Sequence, residues 1–206
     1  MIKAIRGTRD ILPPASTTWN FVERQVREVF RVFNYQEIRT PIFEETALFA
    51  RGVGAETDIV TKEMYTFADR DGESLTLRPE NTAGVVRAYL EHRLDQAPGV
   101  QKLFYLGPMF RRERPQKGRY RQFYQIGAEA IGVDSPVLDA EMIELCAMIF
   151  DRCGITGWKL YVNSVGDAES RAAYIEALRS ALAGVKDQLS EDNQRRADTN
   201  PLRVLD

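Results

Sequence analysis

Residues 110–123 restrict what this chain can fold into more than any other stretch. Arg111, Arg112, Arg114, Lys117, Arg119 and Arg121 stand there against the single acid Glu113, in a chain of 206 residues with formal net charge −2. Charge concentrated in this way repels itself unless an anion meets it. The apolar run Leu103-Phe104-Tyr105-Leu106 precedes it and Phe123-Tyr124-Gln125-Ile126 follows, both of strand character, while Pro115 and Gly118 mark the middle as a loop. The pattern predicts two antiparallel strands joined by a basic loop. Arginine forks on a rigid sheet with a flap above them are suited to gripping phosphate.

Elsewhere the periodicity alternates between helix and strand. A helix is predicted from about Thr17 to Phe33, where Trp19, Val22, Val26, Val29, Phe30 and Phe33 share one face and Ser16 or Thr17 supplies the cap. A strand follows over Tyr35–Thr40 and stops at Pro41, and residues 50–62 read as a loop. Short strands at Tyr65–Phe67 and Ser74–Leu77 flank a turn at Asp69–Gly72, before a helix from about Glu80 to Arg93. The second strand of the basic hairpin runs on to Ile131, and Gly132 breaks it. Ser135-Pro136 opens a helix to about Arg152. Trp158–Asn163 reads as a strand, and Asp167 caps a helix from Ala168 to about Ala183 with Ala172, Ile175, Leu178 and Leu182 inward. The tail from Leu189 is only weakly patterned. Strands in hairpins with helices between the groups predict an α+β fold with a mainly antiparallel sheet.

Composition sets the limits on function. Apolar residues make up 44% of the chain, enough for a real core. The slight negative charge argues against coating nucleic acid through bulk charge, so any such contact is local. No run is long and apolar enough to span a bilayer, and residues 1–7 lack the apolar stretch of a signal peptide. The expectation is a cytoplasmic protein with no membrane partner. Cys146 and Cys153 lie on or near one predicted helix and read as packed thiols rather than a disulfide. With His92 the only histidine, a His/Cys zinc site is not expected, and no metal is assigned to protein side chains.

Two segments carry candidate binding groups. Period two puts Phe123, Gln125, Gly127 and Glu129 on one strand face, with Tyr124, Ile126, Ala128 and Ala130 on the other. The first row offers an aromatic ring, an amide, a gap and a carboxylate, and Gly127 would let a ligand approach the backbone. Taken alone, that row fits a solvent-facing strand side equally well. Arg78-Pro79-Glu80-Asn81-Thr82 joins a predicted strand to a predicted helix. Glu80 suits the first turn of that helix, which is the stronger reading of the pentapeptide by itself. Glu80 and Thr82 are also a carboxylate and a hydroxyl able to hold an ammonium group. Arg111 and Arg119 are candidates to bind phosphate oxygens. Glu113 can accept from an exocyclic amine such as that of adenine, and Phe123 can stack on a purine. Six positive groups and one negative cannot satisfy each other as a surface salt-bridge patch.

At these residues the chain resembles the histidyl-tRNA synthetases, a family of class II aminoacyl-tRNA synthetases, over essentially its whole length. Residues 110–113 with 119–123 resemble class II motif 2, spanning about 103–132, and residues 76–82 resemble the family's Thr-Leu-Arg-Pro-Glu-Gly-Thr segment. Residues 6–13 and 54–60 are similar to it as well. The predicted helix from Thr17 with the strand ending at Pro41 resembles motif 1, about 17–41. The resemblance implies a mainly antiparallel class II catalytic sheet flanked by helices, incomplete at its C-terminus. It implies a ligase that activates L-histidine with ATP and Mg2+ and transfers it to tRNA(His), working as a homodimer through motif 1. Arg111 would bind the α-phosphate as the catalytic cation, Glu113 the adenine amine, Phe123 the ring, and Arg119 the outer phosphates. Glu80, Thr82 and Gln125 would hold the α-ammonium of histidine, and Glu129 its imidazole N–H. Asn81 departs from the family's glycine, at a position where asparagine tolerates a left-handed backbone. The insertion, a histidine-specific motif, motif 3 and the anticodon-binding domain are not found in these residues, so this chain alone is not expected to charge tRNA. The alternative on the same fold is a histidine-sensing regulatory subunit of ATP phosphoribosyltransferase. The set Arg111, Glu113 and Arg119 favours the ligase.

Overall fold

The computed structural model describes residues 2–53, 63–112, 116, 118–164 and 166–205, and the chain divides into two units, Met1–Thr156 and Gly157–Asp206. In the first unit the elements are α1 (Ala15–Val32), β1 (Gln36–Glu37), β2 (Phe43–Glu45), α2 (Thr46–Val53), β3 (Tyr65–Ala68) and β4 (Ser74–Leu77). They continue with α3 (Thr82–Glu91), β5 (Gln101–Phe110), β6 (Gln122–Ile131) and α4 (Pro136–Arg152). The predicted basic hairpin is β5 and β6, antiparallel from Gln101 opposite Ile131 to Phe110 opposite Gln122. β1 adds to the outer side of β5 in parallel, and β2, β4 and β3 form a second, antiparallel three-stranded sheet. The expected α+β architecture is present, with the short parallel β1 its one departure from antiparallel pairing among the described strands.

The alternation along β5 assigns the two faces of the hairpin. Phe104 points to α1 and α4, where it packs with Val26, Val29, Phe30, Tyr35 and Leu145. The Phe30 and Phe104 rings stack at 4.3 Å. Each such apolar side chain contributes about 1.5–3 kcal/mol on burial. Tyr105 and Met109 point the other way and pack with Val85 of α3, joined by Leu103, Phe123 and Ile131. The hairpin is therefore covered on one face by α1 and α4 and meets the start of α3 on the other. A polar tie closes the α1 side: the Tyr35 hydroxyl donates to Glu141 Oε1 at 3.0 Å, and Lys102 Nζ donates to Glu141 Oε2 at 2.6 Å.

The second unit holds α5 (Ala168–Ala183), α6 (Glu191–Thr199) and a 3-10 turn at Pro201–Val204. Asp167 caps α5 by accepting from the Ser170 N–H at 2.7 Å, and Ser190 accepts from Asn193 at the start of α6. Leu182, Ala197 and Pro201 are its buried residues.

Several expectations are corrected. α1 begins at Ala15 behind Pro14, with no side-chain cap from Ser16 or Thr17. The strand at Tyr35–Thr40 contracts to Gln36–Glu37, the two residues that pair with Leu103 and Phe104 of β5. The tail forms α6, and Ala172 of α5 is exposed. Trp158–Asn163 is not a strand: its backbone has no ladder partner among the described residues, and Tyr161 and Val162 stand exposed. Cys146 and Cys153 are free thiols as expected, but Cys146 is exposed rather than packed.

Candidate functional site

The site stands on the α3 side of the hairpin, and Arg78 builds its frame. Its backbone N–H donates to Ile42 O at 2.9 Å, and its carbonyl accepts from Phe110 N at 2.9 Å, joining the smaller sheet to the end of β5. The guanidinium is buried and lies over Gly107, where a Cβ would collide with it. Its Nε donates to Pro108 O at 2.9 Å, and its Nη1 donates to Thr40 O and Thr40 Oγ1, both at 3.1 Å. Burial lowers its pKa, against the raising influence of Tyr105 and Glu44. Backbone carbonyls, the Thr40 hydroxyl and the Asn81 side-chain oxygen, rather than a contacting carboxylate, accept from this cation.

Arg78 also holds the entry to α3. Asn81 is fully buried; its Oδ1 accepts from Thr40 Oγ1 at 2.6 Å and from Arg78 Nη1 at 3.4 Å. Its φ is −125°, so asparagine occupies the family's glycine position without a left-handed backbone. Its Nδ2 has no partner among the described residues. Glu80 then caps the helix: Oε2 accepts from Thr82 N at 2.6 Å and Oε1 from Ala83 N at 3.1 Å. This is the helix-start role that the sequence favours for Glu80. Thr82, freed from capping, donates its hydroxyl proton to Glu129 Oε1 on β6 at 2.8 Å. Burial pushes the Glu129 carboxyl above its ordinary value; the Thr82 bond opposes this and the Glu80 charge adds to it.

Gln125 lies on the same face of β6, four residues before Glu129, and its Oε1 is buried without a partner among the described residues. Between them is Gly127. The expectation that its missing side chain admits a ligand to the backbone is corrected. Gly127 faces Tyr105 across the ladder, and the Tyr105 ring already fills the space that a Cβ would take. The structure thus brings Glu80, Thr82, Gln125 and Glu129 around an aromatic floor. Tyr105, Arg78 and Asn81 are the members that sequence reasoning did not single out for the site. The signal for Tyr105 was present: it shares a face of β5 with Leu103 and Met109, and the register places a glycine opposite.

The basic side is arranged around Arg111. Its Nε donates to Pro79 O at 2.9 Å, and its guanidinium lies 5.2 Å from the centre of the Phe123 ring. Such a contact contributes about 0.5–1 kcal/mol where exposed. Arg111 and Phe123 are therefore adjacent, and one face of the ring is already taken by the cation. Arg119 is exposed in the loop, where its N–H donates to Gln116 O at 3.0 Å. Glu113 lies outside the described residues, as does the 54–60 segment. Gly7, at φ +90°, accepts through its carbonyl from Arg121 N at 2.7 Å, so the 6–13 segment braces the start of β6. A groove of about 810 Å3 opens beside Glu80 and Thr82, lined also by Leu48, Val86 and Leu90. No cluster of three or more His, Cys, Asp or Glu residues is placed to hold a metal among the described residues. No helix among them is long and apolar enough to cross a membrane.

Residues 7–196 match the family described as histidyl-tRNA synthetase. The chain is 68% identical over 206 residues to the histidine–tRNA ligase of Solibacter usitatus, covering all of this chain and 50% of that protein. It is 64% identical over 217 residues to that of Koribacter versatilis, covering all of this chain and 49% of that protein. The crystal structure of apo S. aureus histidyl-tRNA synthetase is similar with a TM-score of 0.76 at 46% identity, covering 99% of this chain and 48% of that one. The chain spans about half the length of these relatives.

Proposed function

The chain belongs to the histidyl-tRNA synthetase family, and from that membership we propose that it carries the ATP- and histidine-binding part of a histidine–tRNA ligase. On this reading it is a partial class II catalytic domain, with motif 1 at about 17–41 and motif 2 at about 103–132. The histidine carboxylate attacks the α-phosphorus of ATP, pyrophosphate leaves, and the acyl group then passes to tRNA(His). Arg111 meets the α-phosphate, Arg119 the outer phosphates, Phe123 the purine ring and Glu113 the adenine amine. Positioning and charge neutralisation carry such a step, because the protein contributes no covalent chemistry. Mg2+, if bound with the nucleotide, would help neutralise the phosphate charge; no described side-chain cluster is placed to hold it. The site is cytoplasmic and belongs to a homodimer, and this chain by itself binds the small substrates without charging tRNA.

One observation carries the amino-acid half of the reading. Glu129, held by Thr82, and the partnerless Oε1 of Gln125 stand on one face of β6 on either side of an aromatic floor. The carboxylate suits an imidazole N–H and the amide oxygen an ammonium group. A half-buried carboxylate left without an N–H donor penalises every side chain that lacks one. Arg111 beside Phe123 gives the nucleotide its own grip, which supports a ligase over a regulatory subunit. Titration calorimetry of L-histidine and of ATP tests the reading. Glu129→Gln should weaken histidine binding on the order of tenfold or more, the loss of one charge-assisted hydrogen bond, and leave ATP binding unchanged. Equal losses for both ligands, or none for histidine, would remove Glu129 from the role.

A further inference from the structure

We infer that Arg78 and Pro79 are positioning residues for Arg111: they form a bracket through which the loop before α3 sets the orientation of the nucleotide-side cation and its register to the amino-acid pocket. The inference rests on the reading of Arg111 as the phosphate-binding cation. Three observations carry it. Arg111 Nε donates to the Pro79 carbonyl at 2.9 Å. Pro79 is fully buried and its ring fixes φ, so the carbonyl that holds Arg111 has little freedom to swing. The residue on each side of Pro79 is clamped as well. The Arg78 N–H donates to Ile42 O and its carbonyl accepts from Phe110 N, both at 2.9 Å, while Glu80 accepts from the N–H groups of Thr82 and Ala83.

The Arg78 side chain anchors the bracket at two places. Nε reaches Pro108 O on β5, and Nη1 reaches the carbonyl and hydroxyl of Thr40. Gly107 leaves the room for this, since a Cβ there would lie 2.5 Å from Nη2. A lysine ammonium gathers its donors at one centre, so it does not bridge both anchors as the guanidinium fork does. Arg111 is placed by the bracket in turn. Its backbone N–H donates to Arg121 O at 2.9 Å, and its side chain is directed by Pro79 O and the Phe123 ring. With Nε so engaged, the guanidinium meets phosphate with its Nη edge. The same bracket carries Glu80 and the start of α3, where Thr82 holds Glu129 at 2.8 Å. One turn of chain therefore references both halves of the site. Two reacting groups depend on such a shared reference, because a misplacement of about 1 Å costs about a hundredfold in rate.

The test follows arginine Nε–H groups by proton–nitrogen NMR in the chain labelled at arginine, with Arg78→Lys and Arg111→Lys assigning the two signals. Both protons should exchange slowly with water in the unmodified chain. In Arg78→Lys, exchange at Arg111 Nε–H should rise about tenfold, the worth of one hydrogen bond. Gly107→Ala displaces the Arg78 guanidinium without removing it and should reproduce that loss. Arg111→Lys should leave the Arg78 proton protected, because the partners of Arg78 do not include Arg111. Thr40→Val removes one acceptor of Arg78 and should act in the same direction, so it decides the matter where the lysine and alanine variants do not fold. Unchanged protection of Arg111 in the folded variants, or loss of Arg78 protection in Arg111→Lys, would overturn the bracket. Calorimetry separates positioning from folding. In Arg78→Lys the dissociation constants for ATP and for histidine should rise about threefold to tenfold with stoichiometry unchanged, whereas Arg111→Lys should weaken ATP alone. A lower stoichiometry with unmoved constants would give Arg78 a merely structural role and sink the proposal. If the unmodified chain binds no ATP, the reading of Arg111 fails, while the NMR comparison still decides the bracket.

Discussion

If Glu129 binds the imidazole as proposed, binding and stability oppose each other at this residue. Burial raises its carboxyl pKa above the unfolded value, so the folded state takes up a proton more readily than the unfolded chain. The stability this gives is fully present below the unfolded pKa. It is lost as pH rises through the folded pKa, and near neutral pH the charged carboxylate is a net cost to the fold. Glu129→Gln should therefore raise the melting temperature of the first unit near neutral pH by roughly 1–3 °C, a gain that fades in acid below the ordinary carboxylate range. Thermal melts across that window check it, and a variant less stable than the parent at neutral pH would refute the sign. Gly127→Ala has the opposite character. The added methyl meets the Tyr105 ring, and overpacking of this kind costs about 1–3 kcal/mol. Urea melts should show the loss, and histidine binding should fall with it. The alternation that put Phe123, Gln125, Gly127 and Glu129 on one face was legible because strand period two needs no tertiary information. What faces Gly127 was not, because an apparent gap in a sequence says nothing about which side chain from the neighbouring strand fills it. Asn81 was legible as a departure, but its harmless φ depends on Thr40 and Arg78, remote in sequence.

Among the elements, α3 depends most on a side chain outside itself. Glu80 accepts from two N–H groups at its start, while the N-cap residue Asn81 makes no capping bond. Glu80→Ala leaves both groups without that acceptor and should cost about 0.5–2 kcal/mol. It should also loosen Thr82, so histidine binding weakens even if Glu80 never contacts the ligand. Glu80→Asp, with a shorter reach, should recover little. Hydrogen exchange at Thr82 and Ala83 reads the effect directly, and unchanged protection in the alanine variant would show that the cap is not what orders this turn. Elements with local punctuation were the ones readable from sequence. Ser135-Pro136 opens α4 and Asp167 opens α5 at the predicted residues. β2 and α2 were missed because they sit in a stretch with little periodicity; β2 exists because Phe43, Glu44 and Glu45 pair with β4. The 158–163 segment shows the reverse. Its residues have strand character, but a strand is a property of a pair, and no partner is present among the described residues to supply the ladder.

At the scale of the whole molecule, the first unit leaves apolar surface that its own core does not use. Phe21 and Val32 on α1 and Ile42, Phe43 and Phe67 on or beside the smaller sheet are exposed, and the last two form an edge-to-face pair at 6.5 Å. Exposed apolar residues standing singly are ordinary, but Ile42 and Phe43 just after Pro41, with Phe67 against Phe43, mark a surface that association would cover. The segment proposed above as motif 1, about 17–41, borders this surface, and a two-fold axis there would bring the same patch from two copies together, since a self-complementary surface closes into a dimer rather than a chain. The prediction is a homodimer at micromolar concentration in sedimentation velocity. Phe43→Asp should shift it toward monomer without disturbing the hairpin, because Phe43 lies on the smaller sheet and takes no part in either core cluster. Histidine and ATP binding should then persist in the monomeric variant, since every described residue assigned to them comes from one copy. A parent chain that sediments only as monomer would remove this surface as a self-association site. A variant that stays dimeric would move the interface elsewhere. Loss of ligand binding on dissociation would show that the second copy orders the pocket, through the Thr40–Arg78–Asn81 contacts that connect the Pro41 turn to α3.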